Sequence, residues 1–211
     1  ELRTPIAAMR AETEVTLRNP SLTVDNAKKQ LESNLEELDK LTSLTEGLLR
    51  LARLEGGTIE KRSMPLDGIA NDVVSRMLPL AEKKHILLEV NVPSIRVMAD
   101  EVSLSEALLV LVDNAIKYSP KKSTIVISAR RVVKDVRISV RDNGHGIPAE
   151  ELPHIFKRFY RSDTSRTHSA TKGYGLGLSI ANEIIKAHRG RISVISTLGK
   201  GTTFTIHLPH A

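Results

Sequence analysis

Leucines at 31, 35, 38, 41, 44, 48 and 51 follow one another in steps of 4, 3, 3, 3, 4 and 3. Such spacing returns to one face of an α-helix at every turn, so the segment is predicted to be a long amphipathic helix. A cap near Thr23 or Asp25 would start it, and Gly56-Gly57 would end it. Upstream, Leu2, Ile6, Met9 and Leu17 mark a shorter helical stretch with Pro5 near its start, and Asn19-Pro20-Ser21 breaks it. Two amphipathic helices joined by a short loop form an antiparallel hairpin. Alone, that hairpin leaves much of its leucine stripe in water. Dimerisation into a four-helix bundle is therefore expected, with packing on a downstream domain as the alternative.

Beyond Gly57 the pattern changes. A helix is predicted over 67–83, then strands at 86–92 and 95–98. A long helix follows, capped by Asp100 and running through Leu111 to Tyr118. Strands at 124–133 and 136–141 turn at Lys134-Asp135, a helix covers about 177–188, and strands at 191–196 and 202–208 flank the turn at 198–201. Strands and helices do not alternate strictly, which favours α+β: a mixed sheet with helices on one face. The predicted organisation is a helical hairpin at 1–56 and an α/β-sandwich domain at 57–211.

The 211-residue length leaves room for these two parts, and a hydrophobic content of 40% supports a core. Cysteine is absent, which excludes disulfides and thiolate metal sites. No apolar run approaches the roughly 20 residues of a membrane helix. The region is thus expected to be soluble and cytoplasmic, with any membrane segment upstream of Glu1. A net charge of +6 raises nucleic acid as a partner, but aromatics are only 3%, the cations are dispersed and no helix-turn-helix signature is present. No nucleic-acid partner is expected.

Three short boxes carry the chemistry: LVDNAIKY (111–118), DNGHGIP (142–148) and GYGLGLSI (173–180). A basic, threonine-rich segment lies between the last two. Asp142 ends a strand and precedes Gly144 and Gly146. Its carboxylate accepts hydrogen bonds only, which suits the exocyclic amino group of adenine; a plain surface turn is the alternative. Gly173, Gly175 and Gly177 open a helix whose N-terminal amides favour phosphate, or they serve only as packing glycines. Neither the Walker pattern nor the dinucleotide fingerprint is present. Asn114 and Lys117 share a helix face at i and i+3. An amide oxygen can ligate Mg²⁺ and an ammonium can neutralise phosphate, with Tyr118 near the base. Each could instead be part of a solvated helix end. Together the boxes point to a cradle for ATP.

These boxes resemble the N, G1 and G2 boxes of the sensor histidine kinases, whose catalytic domain shares a superfamily with gyrase B, the mismatch-repair ATPases and the ninety-kilodalton heat-shock chaperones. Ile155-Phe156-Lys157-Arg158-Phe159-Tyr160-Arg161 is similar to the F box, Gly201-Thr202-Thr203-Phe204 to the closing strand, and Glu1-Leu2-Arg3-Thr4-Pro5-Ile6 to the H box. The resemblance implies a homodimer that phosphorylates itself on histidine from Mg-ATP and passes the group to a response-regulator receiver domain. It also implies that the full-length protein is membrane-attached. Carried over residue by residue, it makes Glu1 the base beside the acceptor histidine and gives Thr4 a role in dephosphorylating the regulator. Asn114, Lys117, Tyr118, Asp142, Gly144, Gly146, Ile147, Phe156, Arg158, Gly173, Gly175, Leu176, Gly177, Leu178 and Thr202 would bind ATP, with Asn114 on Mg²⁺.

Two departures follow. The acceptor histidine belongs immediately before Glu1, and none of His85, His145, His154, His168, His188, His207 or His210 fits that position. The N box carries Val110 where the family usually has a second asparagine. A kinase degenerated into a nucleotide-binding interaction module, or acting mainly as a regulator phosphatase, is the alternative this suggests.

Overall fold

The computed structural model describes residues 3–56, 59–133, 135–161 and 175–209. Contacts divide the chain into two compact units, Glu1–Arg50 and Leu51–Ala211. The division falls before the Gly56-Gly57 boundary read from the sequence, within the second hairpin helix, which itself runs unbroken to Gly56.

The first unit is built on α1 (Arg3–Leu17) and α2 (Val24–Gly56). Asn19 Oδ1 accepts from the Ser21 amide at 2.9 Å, making the tight polar turn that stops α1. Thr23 caps α2, its hydroxyl accepting from the Asn26 amide at 3.3 Å. The side chains bridging the two helices are polar. Gln30 Nε2 donates to Glu12 Oε2 and Asn34 Nδ2 donates to Thr13 Oγ1, both at 3.1 Å. The leucine stripe is split: Leu41, Leu44 and Leu51 are buried, whereas Leu31, Leu35 and Leu38 are 64%, 60% and 50% exposed within one chain.

The second unit contains a five-stranded sheet in the order β2-β4-β5-β7-β6, with β2 Leu87–Asn91, β4 Thr124–Val132, β5 Asp135–Arg141, β6 Arg191–Thr197 and β7 Gly201–Pro209. Only β2 and β4 run parallel; the other pairs are antiparallel, so the sheet is mixed as expected. A short ribbon pairs β1 (Arg62–Pro65) with β3 (Arg96–Ala99). Sequence reading missed β1, which at four residues is too short to show an alternation. Along the central strands, Val136, Ile138 and Val140 alternate with Arg137, Ser139 and Arg141, and Phe204, Ile206 and Leu208 with Thr203, Thr205 and His207. The apolar set is buried on one face, beneath α3 (Leu66–Lys83), α4 (Glu101–Tyr118) and α5 (Gly177–Ala187).

α4 is held at both ends. Asp100 caps it, Oδ1 accepting from the Ser103 amide at 2.9 Å. At the other end the Lys84 ammonium donates to the carbonyls of Ile116 and Lys117 at 2.9 and 2.8 Å, placing a cation on the negative pole of the helix. His188, 1% exposed, closes α5. Its Nε2 accepts from the Asp100 amide at 3.0 Å, which requires the neutral ring with the proton on Nδ1, donated to the Ile184 carbonyl at 2.8 Å.

Burial, with a further push from the Lys61 charge, holds the His188 pKa below its usual 6.5. The unfolded chain therefore binds the extra proton more readily, and the stability from neutral His188 is complete above pH 6.5 and lost as pH falls below it. Thermal melts between pH 8 and pH 5 should show this decline. His188→Gln should lower stability by about 1–3 kcal/mol at pH 8 and flatten the pH slope.

Candidate active site

The end of β5 delivers Asp142 into a nearly sealed position, 5% exposed. Its Oδ1 accepts from the Gly144 amide at 2.8 Å and the Thr202 amide at 3.1 Å. Oδ2 takes neither bond, leaving an acceptor for a ligand N–H. Burial raises the Asp142 pKa; the two amides and His145 oppose that shift. The net direction is upward, limited by the two amides that donate to Oδ1.

The turn after Asp142 is shaped by close backbone approaches. A Cβ on Gly144 would lie 2.5 Å from the Tyr118 carbonyl oxygen, so glycine there lets the box meet the end of α4. Gly146 has φ +71°, and a Cβ on it would collide with the Thr197 carbonyl. The Ile147 amide donates to Ser196 Oγ at 2.8 Å, and Ser196 Oγ lies 2.9 Å from Thr202 Oγ1. The Gly199 amide donates to the His145 carbonyl at 2.7 Å. The β6–β7 turn and the 142–147 box are thus laced together. Tyr118 meets His145 edge-on, ring centroids 5.9 Å apart.

α4 contributes the remaining groups. Asn114 is half-buried, one turn before Tyr118. Lys117, read from the sequence as a free phosphate ligand, pairs with Asp113 Oδ2 at 2.5 Å. Sequence reading passed over Asp113, although its i, i+4 spacing to Lys117 signals such a pair. Ser196 was also missed: nothing local marks a strand serine that bonds a residue 49 positions away. Val110 faces the start of α5, its Cγ1 3.2 Å from where a Gly177 Cβ would stand.

Leu176 precedes α5 without any side-chain cap, and the first intrahelical amide bond runs from Ile180 to Leu176 at 2.9 Å. The amides of Gly177, Leu178 and Ser179 therefore lack intrahelical partners, the arrangement that attracts phosphate. Phe156 packs edge-on against Phe204, centroids 6.3 Å apart. The Phe159 amide donates to the Gly175 carbonyl at 3.1 Å. Arg158 is exposed. Glu1 and Gly173 lie outside the described residues, and Thr4 is described by its backbone alone, in the first turn of α1. Among the described residues no group of three or more histidines or carboxylates could hold a metal ion. Asn114 offers a hard oxygen of the kind Mg²⁺ takes while keeping most of its coordination for water and phosphate.

A mixed sheet under three helices, with a sealed carboxylate beside a glycine turn and an uncapped helix start, defines a nucleotide-binding α/β sandwich. Residues 99–211 match the family described as histidine kinase-, DNA gyrase B- and HSP90-like ATPase, and residues 1–57 match the His Kinase A phospho-acceptor domain. The chain belongs to the sensor histidine kinases of two-component systems. It is 36% identical over 212 residues to the sensor-like histidine kinase SenX3 of Mycobacterium tuberculosis, covering 99% of this chain and 51% of that protein. The chain thus spans about half the length of such curated relatives. The Acinetobacter baumannii histidine kinase AdeS has a similar structure, with TM-score 0.78, 25% identity and coverage of 99% and 96% of the two chains. Histidine kinase ThkA, solved in complex with the response regulator protein TrrA, shares the fold at TM-score 0.76 and 24% identity, covering 100% of this chain and 59% of that one.

If Ser196 holds the adenine box in shape, Ser196→Ala should weaken binding of a non-hydrolysable ATP analogue about three- to tenfold. Ser196→Thr should restore it. Isothermal titration calorimetry on both variants makes the check.

Proposed function

We propose that the whole protein is an ATP-dependent histidine autokinase that passes its phosphoryl group to the receiver domain of a response regulator and also dephosphorylates that regulator. The observation that carries this is Asp142: buried, tied through one oxygen to two backbone amides, and left with a second acceptor for the adenine amino group. Mispaired bases would leave that acceptor desolvated, a large discrimination. The triphosphate would then run toward the free amides of α5, with Asn114 as the protein ligand of Mg²⁺. The ion, when bound, neutralises charge on the phosphate oxygens.

In the first step a ring nitrogen of the histidine preceding Glu1 bonds to the γ-phosphorus as the bond to the β,γ-bridging oxygen breaks, and ADP leaves. Glu1 would take up the ring proton. In the second step a receiver aspartate oxygen displaces the histidine nitrogen. Dephosphorylation would be a separate hydrolysis: water oriented by Thr4 bonds to the phosphorus of the receiver's aspartyl phosphate as the aspartyl O–P bond breaks, releasing inorganic phosphate and the free carboxylate. The solved complex of ThkA with a response regulator supports a receiver domain as partner. Solvent-facing Leu31, Leu35 and Leu38 support a homodimer in which a second hairpin covers the stripe. Attachment to a membrane through a segment upstream of residue 1 completes the proposal.

A form of the chain carrying histidine before Glu1 should take label from γ-³²P-ATP into an acid-labile, base-stable bond, and Asp142→Ala in that form should abolish the labelling and nucleotide binding alike. Tight nucleotide binding without phosphohistidine would favour the alternative of a nucleotide-binding interaction module or regulator phosphatase. Val110 favours that reading, because its apolar side chain packs toward Gly177 and offers no oxygen to a metal ion. Val110→Asn should lower the Mg²⁺ concentration needed for half-maximal labelling, measured by Mg²⁺ titration. An unchanged midpoint would leave the metal to Asn114 alone.

A further inference from the structure

The face of the five-stranded sheet turned away from the helices carries a row of cations. In register across β6, β7, β5 and β4 stand Arg191, His207, Arg137 and Arg130. At about 4.8 Å per strand the row spans roughly 14 Å. Arg141 lies on the same face, opposite Thr203. Among the described residues none of these four arginines has an ion-pair partner. The carboxylates sharing the face are Asp135 and Glu89.

Like charges directly opposite on neighbouring strands destabilise a sheet, and Arg130 and Arg137 are direct partners. Two polar atoms in the row are also buried without a partner: Arg137 Nε and His207 Nδ1. His207 is 8% exposed and its Nε2 is engaged with Ser193 Oγ at 2.8 Å. Burial and the charges of Arg191 and Arg137 press its pKa down, with Asp135 opposing, so the ring itself adds little to the repulsion. The uncompensated charge resides in the arginines.

Beside this row, two residues along each strand, runs a second made of Ser193, Thr205, Ser139, Ser128 and Asn91. We propose that this open sheet face is a docking surface for an acidic polypeptide segment lying across the strands, its carboxylates over the arginine row and its backbone beside the hydroxyl row. The fork of a guanidinium matches a carboxylate with two parallel hydrogen bonds, which suits arginines better than lysines. A lipid surface is the poorer fit, since membrane-binding faces add large apolar or aromatic groups to their cations. Here the exposed large apolar side chains of the face, Ile195 at 76% and Leu87 at 58%, stand on opposite edge strands rather than in one patch, and no Phe, Tyr or Trp joins them. Absence of an aromatic platform on this face also disfavours single-stranded nucleic acid.

The test uses a fluorescein-labelled octaglutamate peptide, followed by anisotropy at low salt. The double variant Arg130→Ser, Arg191→Ser should weaken binding at least about fivefold, with its ATP-analogue affinity unchanged and its melting temperature no lower than the parent's, since Arg130 stands directly opposite Arg137. Arg137→Lys, which keeps the charge but loses the fork, should weaken it by a smaller factor. A charge-matched control in the hairpin, Arg18→Gln with Lys28→Gln, should bind the peptide as the parent does. Equal losses in the control and the sheet-face variant, or no loss in either, would overturn the proposal. So would binding to phosphatidylglycerol vesicles that depends on the same arginines while the peptide fails to bind.

Discussion

The site depends on one oxygen atom. Asp142 Oδ1 takes the amides of both Gly144 and Thr202, and in doing so ties the glycine box after β5 to the first residues of β7. Few groups other than a carboxylate can accept two backbone amides on one oxygen and still present a second acceptor to a ligand. The burial that would neutralise the group is opposed by those same amides. Around this anchor the neighbouring contacts fall into place: the Gly144 approach to Tyr118, the Ser196 bond to Ile147, and the Gly199 bond to His145.

α4 carries the remaining groups and is fixed independently of the ligand. Its start is capped by Asp100, whose backbone amide is in turn held by His188 at the end of α5. Its final carbonyls are gripped by Lys84 from the end of α3. The three helices are therefore tied at their ends by polar bonds and along their lengths by apolar packing. Such a layer positions Asn114 and the α5 amides from a rigid scaffold rather than from loops.

Where side chains stand in a period, the sequence was a good guide. The alternation in β5 and β7 and the helical spacing of α4 predicted those elements to within a residue or two, and the cap at Asp100 was read correctly. β1 was not legible, since its pairing partner β3 is more than thirty residues away and four residues carry no pattern. In the hairpin the leucine period fixed the helix. It did not reveal that Gln30, Asn34, Glu12 and Thr13 bridge the two helices while Leu31, Leu35 and Leu38 face outward. A period reports that a stripe exists, not which surface covers it.

By itself the sequence determined the order of the elements apart from β1, a set of candidate residues for a nucleotide site and the family that carries them in that order, because these are properties of local spacing and residue chemistry. Tertiary structure decided the rest. It gave Lys117 an anionic partner in Asp113, made Ser196 a support for the turn after Asp142, set Val110 against Gly177 and aligned arginines from separate strands into one row. Each of these joins residues through sheet register, helix packing or a bond to a distant turn, and no local pattern in a chain encodes which distant residue will stand opposite.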